Sequence, residues 1–454
     1  MKLTAFFTSP SIVVRGVTWL TAFLLLTVFW ILLLRFLPLD GLFHYLGTIG
    51  MTGTQSIMAI TLLPPLATSL LSWISLKALK PPEATPNTTL VKPTPEAIVA
   101  PATAMLRIAA WSVLTPFGDA GATVGGSQGQ EKIFRPDNAI RNTEGHPVHA
   151  ATIEELPLEL LNYPLETRSR AMRISAMLVT VLNDLFERQD ELAQATTAPA
   201  TVYWLVPEVL PRDNETRLAF SIAWTHSHWC DASYDLHLLS AVTESAYGTV
   251  SALQQHMSNG KMQYVLLLAA DSLVSPDELE SPLASGRVFS SETADGFVPA
   301  EGAAGLILVN AALAVDSQLV GLCTLGSARR ELRTSDRNLK GKVDSSALTT
   351  CITDAITAAK TTTDSVGSMI SDTDHRFLRN TEVIQAMEQI LPGLDPLSDR
   401  INPMAFAGNF GAASDLIHMA LAAEMAIATE QAALVVSVAD ARQTAAMIIL
   451  PGQV

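Results

Sequence analysis

The sequence predicts an α/β body behind an N-terminal membrane anchor. Three observations carry this: an uncharged run near the N-terminus, a proline-rich stretch after it, and, from residue 105 onward, unbroken apolar runs alternating with amphipathic ones. Strands read as continuous apolar runs when helices cover both faces of their sheet. With 454 residues, 48% of them hydrophobic and 16% charged, the chain can build one large domain or two medium ones.

The anchor comes first. Residues 16–34 (GVTWLTAFLLLTVFWILLL) carry no charge and match the roughly twenty residues that a bilayer core requires. Arg15 and Arg35 bracket the run, and Trp19 and Trp30 lie toward its ends. It is long for a signal peptide, and no small-residue cleavage site follows it. A second uncharged run, residues 45–76, is interrupted by Gly47, Gly50, Gly53 and Pro64-Pro65, as in a kinked or re-entrant span. Lys77 and Lys80 close it, and Lys2 and Arg15 precede the first span. The positive-inside bias puts both termini in the cytoplasm. Residues 1–80 are therefore expected to form a two-span transmembrane hairpin. Residues 81–104 (PPEATPNTTLVKPTPEAIVAPATA) form a proline-rich linker with too little apolar surface to fold.

The body is expected over residues 105–454. MLRIAAWSVL (105–114) reads as a strand, stopped by the turn TPFG. Residues 167–187 carry a helical stripe of Met172, Ile174, Met177, Leu178, Val181, Leu182 and Leu185. Strands are predicted over 201–206, 262–269, 305–309 and 319–325, and a helix over 240–257 that ends at Asn259-Gly260. Helices over 345–361 and 414–431, a strand following 365–370, and closing strands over 433–438 and 445–450 complete the order. Strand–helix–strand units in both halves raise the question of a two-fold duplication.

Composition excludes some functions. A formal charge of −15 and no basic stripe leave nothing to neutralise phosphates, so no nucleic-acid partner is expected. Three cysteines, Cys230, Cys323 and Cys351, read as thiols in a reducing compartment. No cofactor is expected.

One stretch is more specific. Phe289, then Asp295-Gly296-Phe297-Val298 and Glu301-Gly302-Ala303-Ala304 leading into a strand, resembles the "F…RDGFV.GEGAG.LVL" block of β-ketoacyl synthases in the thiolase-like superfamily. Ala294 stands for the usual arginine and Ala300 for the usual glycine. Similar blocks follow in family order: LRIAAWSVLTPFGDA at 106–120, YPLETRSRAMRISAMLVTVLNDL at 163–185, AVTESAYGTVSALQQHMSNG at 241–260 and MAFAGNFGAASDLIHMALA at 404–422. The resemblance runs from residue 106 to the C-terminus, about three quarters of the chain. It implies a five-layer α/β/α/β/α body, and a homodimer formed through the strand before the nucleophile helix.

Condensation needs an activated thiolate and two imidazoles or their equivalents. By the resemblance, the cysteine position is Thr243, a poor nucleophile without an adjacent base. The glycine–histidine of the last block is Gly408-Asn409, and asparagine moves no proton at neutral pH. The lysine five positions earlier is Met404. In SMISDTDHRFLRNTEV (368–383) the remaining histidine is represented either by His375 or by Ser371, the latter if Glu382 is the matching glutamate. The C-terminal glycine-rich loop is replaced by VSVADARQTAAMII. The three vestigial pocket positions are thus Thr243, His375 and Asn409.

The same SDTDHRFLRNTEV run is similar to thiolase-like proteins encoded near type VI secretion effectors in Gram-negative bacteria, which lack the cysteine–histidine set and assist effector loading. That similarity implies an inner-membrane protein whose body faces the cytoplasm and holds a protein partner. The plain reading of Asp372, Arg379 and Glu382 is a surface ion network of little energetic weight. A last cluster, AWTHSHWCDAS (223–233), contains His226, His228 and Cys230, which on a strand share one face and supply three zinc-type ligands. No fourth ligand is evident, and the other reading is stacked His and Trp side chains at a strand end.

The sequence therefore predicts a membrane-tethered, thiolase-like adaptor without condensing chemistry. The alternative is an acyl-thioester-binding or synthase-like enzyme with an altered site.

Overall fold

The computed structural model describes residues 106–142, 144–161, 169–188, 199–207, 214–241, 245–257, 264–290, 293–310, 322–333 and 343–452. The expected membrane hairpin, the linker and Thr243 lie outside the described residues.

The first half of the body runs β1 (Leu106–Leu114), α1 (Ala120–Gln128), a hairpin of β2 (Arg135–Arg141) and β3 (Pro147–Ala150), α2 (Arg170–Arg188), β4 (Ala200–Val206), α3 (Asn214–Thr225), β5 (Tyr234–Ser240), α4 (Ala246–Met257), β6 (Tyr264–Ser272), α5 (Pro276–Ala284) and β7 (Glu301–Asn310). The second runs β8 (Cys323–Leu325), β9 (Arg329–Leu332), α6 (Ser346–Ala358), β10 (Val366–Ser371), α7 (Phe377–Ile390), β11 (Arg400–Ile401), α8 (Met404–Ala407), α9 (Ser414–Thr429), β12 (Ala432–Ser437) and β13 (Gln443–Pro451).

The two halves repeat one topology. In the first, the strand order is β5–β4–β6–β7–β1, with β4 parallel to β5 and β6, and β7 antiparallel to β6 and β1. In the second it is β11–β10–β12–β13–β9, with β10 parallel to β11 and β12, and β13 antiparallel to β12 and β9. The short β8 bonds to both β1 and β13 and joins the halves edge to edge. The duplication raised by the sequence is therefore present.

Period-two alternation sorts the side chains into layers. On β6, Val265, Leu267 and Ala269 enter a core shared with α4 and α9, while Leu266, Leu268 and Ala270 enter one shared with α2. On β12, Ala433 and Val435 join the same α4/α9 core, while Leu434 and Val436 pack with residues of α6 and α7. The order is helices, half-sheet, α4 with α9, half-sheet, helices: five layers. Each fully buried Leu contributes about 1.5–3 kcal/mol relative to exposure. Strands buried on both faces need no polar alternation, which is why their runs are unbroken. The segment 411–429 around α9 is long and apolar enough to cross a membrane, but it is the central core helix. A helix enclosed by two sheets has no polar face to show.

Three expectations need correction. The single helix expected over 240–257 is the end of β5 at Ser240 followed by α4 from Ala246. Asp235 and His237 break the apolar run of β5 and hide it. Residues 226–230 are not a strand but a set of turns after α3, so His226, His228 and Cys230 do not share a strand face. Finally, α7 occupies much of the stretch whose charges read as a surface network.

Candidate functional site

The site lies where strand C-termini of both halves meet the N-termini of α4 and α9, the positive ends of two helix dipoles. The glycine-rich block before β7 forms its floor. Phe289 N–H donates to the Phe297 carbonyl (2.9 Å), and Phe297 N–H to the Arg287 carbonyl (2.8 Å). A Cβ on Gly296 would meet the Val288 carbonyl carbon at 2.2 Å, so only glycine permits this approach. Asn409 N–H donates to the Val298 carbonyl (2.8 Å), and Ala300 N–H to the Asn409 carbonyl (3.2 Å). The DGFV and GNFGAA blocks are thus backbone partners. Gly408, at φ +94°, has no room for a Cβ beside the Val298 carbonyl oxygen at 2.7 Å.

Glu301, 0% exposed, explains the glutamate of the block. Its Oε2 accepts from Arg173 Nε (2.6 Å) and Ser272 Oγ (2.8 Å), its Oε1 accepts from Ile153 N–H (2.7 Å), and Arg173 Nη2 pairs with Oε1 as well. Beside it, Asp271 Oδ1 accepts from Arg170 Nε (3.0 Å) and Nη2 (2.8 Å). The other oxygen of Asp271 accepts from Ala412 N–H (2.8 Å), which fixes the loop entering α9.

The residues expected to carry chemistry are employed otherwise. Asn409 Oδ1 accepts from Gly411 N–H (2.8 Å), so its amide closes its own turn. His375 Nε2 is 3.1 Å from the Ala294 carbonyl, and its ring packs edge-on against Phe289 at 4.9 Å. Both hold the floor loop. Directly after β10 comes Asp372, 1% exposed. Its Oδ1 accepts from Val438 N–H (2.7 Å), and its Oδ2 from Ser437 Oγ (2.7 Å) and Ala439 N–H (2.8 Å).

The presumed surface network is instead three separate buried arrangements. Asp372 binds the loop after β12 as described. Arg379 pairs with Asp374 at 3.4 Å, beside Arg376. Glu382, 1% exposed, accepts from Arg333 Nη2 (2.8 Å), whose guanidinium also donates to the Asp440 carbonyl (2.7 Å). Burial alone would raise the Asp374 carboxyl, but the hydrogen bond and charge of Arg376, with Arg379, hold it below the ordinary range.

Sequence reasoning missed Asp415, His418 and Tyr247. Asp415 accepts from the Ala246 N–H at the start of α4; burial, and then the neighbouring Asp372 carboxylate, push its carboxyl up to about 7. His418, 1% exposed and one turn further along α9, is pushed down to about 4 by burial, and its Nε2 has no hydrogen-bond partner among the described residues. Burial, then Asp415 and Asp372, raise the Tyr247 hydroxyl well above its ordinary value. The signal was legible: Asp415 and His418, with Glu424 further along, are the ionisable residues that interrupt a mostly apolar helix.

The zinc reading fails on geometry. His226, His228 and Cys230 are exposed on turns, and the His228 ring rests edge-on against Phe186 at 5.7 Å. Among the described residues no group of three His, Cys, Asp or Glu side chains has metal-ligand geometry. Cys323 and Cys351 are buried thiols, pushed up to about 12 chiefly by burial.

A cleft of about 700 Å³ opens above this floor, lined by Arg287, Asp295, Arg376, Arg379, Asn409 and Ala439, among others.

No family model matches the sequence, and no curated protein matches it. Solved structures do. The ishigamide ketosynthase/chain length factor aligns over 77% of this chain and 100% of its own, at 16% identity and TM-score 0.56. The ketosynthase from module 6 of the bacillaene synthase of Bacillus subtilis 168 aligns over 77% and 72%, at 10% identity and TM-score 0.57. A β-ketoacyl synthase from Burkholderia phymatum STM815 aligns over 77% and 100%, at 11% identity and TM-score 0.56. At such identities the likeness establishes the fold: the body of this chain has the β-ketoacyl synthase-like, thiolase-like fold.

Proposed function

We propose that the chain is a non-catalytic adaptor on a ketosynthase-like scaffold, tethered in a bacterial inner membrane by its N-terminal hairpin. Its body faces the cytoplasm and holds a protein partner, with type VI secretion effectors as the candidate class. The observation that carries the reading is Asp372. A carboxylate buried at the end of β10, close enough to α4 and α9 to perturb Tyr247, Asp415 and His418, opposes the chemistry of condensation twice. It disfavours a nucleophilic anion at the start of α4, and it repels the enolate and oxyanion that decarboxylation and attack would generate. Its three hydrogen bonds leave it fixed there. Asn409 and His375, engaged by the floor loop, supply no acid–base pair in compensation.

The test is in-cell crosslinking of the full chain, followed by quantitative identification of co-purifying proteins and reconstitution with the purified candidate. A stoichiometric complex reconstituted from pure components supports the adaptor. Recovery of the chain without any protein that rebinds it in pure form counts against it.

A second reading has one observation in its favour. Asp415, in the first turn of α9 and bonded to the Ala246 N–H that opens α4, is raised by burial to about 7, within the range of a general base. An acyl-thioester enzyme with altered chemistry would turn over acyl-thioesters and lose that activity on Asp415→Asn.

A further inference from the structure

A groove of about 580 Å³ lies between residues 155–160 and α2. Along α2 its wall is the stripe Thr180, Asn183, Asp184 and Glu187, whose i, i+3, i+4, i+7 spacing puts them on one face. The facing wall holds Glu155, Leu156, Pro157 and Leu160. Leu160 belongs to the short helical turn Leu158–Leu161 and is 59% exposed. Its neighbours Leu158 and Leu161 pack into the core with α2, so the outward leucine adds nothing to the fold.

The walls around this leucine are acidic. Among the described residues the lining holds Glu155, Asp184 and Glu187 and no lysine or arginine. The charged neighbours leave that sign unchanged. Arg188 pairs with Asp184 at 2.9 Å, and Arg135 lines the adjoining cleft together with Glu154 and Glu155. With Glu154 and the exposed Glu159, five carboxylates stand against these two guanidiniums. Protonation of His228, 3.9 Å from Glu187, leaves the carboxylates in the majority. Arg170 and Arg173 of α2 are engaged elsewhere, by Asp271, Glu278 and Glu301. Residues 162–168 and 189–198 flank the groove in the chain and lie outside the described residues; by sequence they add Glu166, Asp190 and Glu191 against Arg168. An acidic wall alone is an ordinary solvated face on a chain of formal charge −15. The uncovered leucine between two such walls is what calls for a polypeptide.

We infer that this groove docks a basic segment of a partner protein, with its lysines or arginines on Glu155, Asp184 and Glu187 and one apolar side chain on Leu160. The inference rests on the adaptor reading and names its docking surface. Charge complementarity selects a basic over an acidic segment. The exposed leucine selects a polypeptide over a small cation, which would use the carboxylates alone.

The experiment uses the full chain in non-ionic detergent and fluorescein-labelled peptides followed by anisotropy. The probes are a Lys/Arg peptide with a central Leu-Phe pair, the same peptide with Ser-Ser in the centre, and a Glu counterpart of the first. The groove requires that the first binds, that the second binds about tenfold more weakly, and that the third does not bind. Leu160→Ser and Glu187→Lys, both at exposed positions, should each weaken the first probe about tenfold at an unchanged melting temperature. Glu155→Lys, on the facing wall, should do the same. Glu388→Lys, an exposed charge reversal on α7, should leave the affinity unchanged. The inference is overturned if the first probe fails to bind, if the Ser-Ser probe binds equally well, or if neither Leu160→Ser nor Glu187→Lys matters. It is also overturned if Glu388→Lys weakens binding as much as Glu187→Lys, which would be attraction to net charge alone. A partner reconstituted with the wild type that binds the Leu160→Ser/Glu187→Lys variant equally well removes this surface and leaves the adaptor reading intact. A partner lost by that variant supports both.

Discussion

Arg173 and Glu301 are 128 positions apart in the chain and meet in a two-pronged ion pair at the start of β7, where Nε of the arginine lies 2.6 Å from Oε2 of the glutamate. The pair joins α2 of the outer layer to the floor of the site. Its glutamate also accepts from the Ile153 backbone and the Ser272 hydroxyl. Breaking one member of a buried pair leaves the other charge uncompensated. Glu301→Gln should therefore cost about 3–5 kcal/mol by denaturant unfolding. Arg173→Met/Glu301→Met should recover part of that loss, since no lone charge remains. Equal stability of Glu301→Gln and wild type would contradict the role given to this pair.

Asp415 and His418 give opposite pH dependences one turn apart. The folded Asp415 carboxyl is raised to about 7, so the folded state binds the extra proton and stability falls as pH rises from about 4 to 7. The folded His418 imidazole is lowered to about 4, so the unfolded state binds the extra proton and stability falls as pH drops from about 6.5 to 4. The two partly cancel in the wild type. Asp415→Asn should expose the histidine alone, losing up to about 3 kcal/mol on acidification through that window. His418→Gln should show the reverse slope, gaining stability toward acid. Parallel slopes in the two variants would refute this assignment.

Gly411 sits at φ +58° with a Cβ position 2.1 Å from Asp271 Oδ2. Gly411→Ala must displace the carboxylate that holds both Arg170 and the Ala412 N–H. The loss should be about 2 kcal/mol or more, and thermal unfolding will measure it. A melting temperature within error of wild type would mean that the loop relaxes freely.

We predict that the expected homodimer forms through the edge strand β5. Among the described residues it pairs only with β4, and its Leu236, Leu238 and Leu239 are half-buried. An apolar, unpaired edge recruits another strand. Leu238→Lys puts a charge on that edge strand, and the full chain in detergent should shift from dimer to monomer by light scattering. A wild type that is monomeric at micromolar concentration excludes the dimer.

The legible parts of the sequence were those where one physical signal dominates. Strands such as β6 and β7, buried on both faces, announced themselves as apolar runs, and the glycines at 296 and 408 marked close backbone approaches, and Gly411 a close approach to the Asp271 side chain, that the structure contains. The β5 strand was obscured because an edge strand tolerates Asp235 and His237. The α7 helix was obscured because its inner face includes the buried Glu382, paired with Arg333, which follows β9 in the chain. That pairing, like Asp372 with the Ser437 hydroxyl and the 438–439 backbone, depends on long-range contacts that no local pattern encodes. The HSHWC cluster misled because period-two spacing implies a shared face only on a strand.

The central claim is that a condensing scaffold has been kept without condensing chemistry. Its most direct test incubates the purified full chain with acyl- and malonyl-thioesters and follows intact mass and chain-extended product together. The account requires no covalent acyl adduct and no carbon–carbon bond formation above the protein-free control. A product that appears with wild type and vanishes with Thr243→Ala would contradict it.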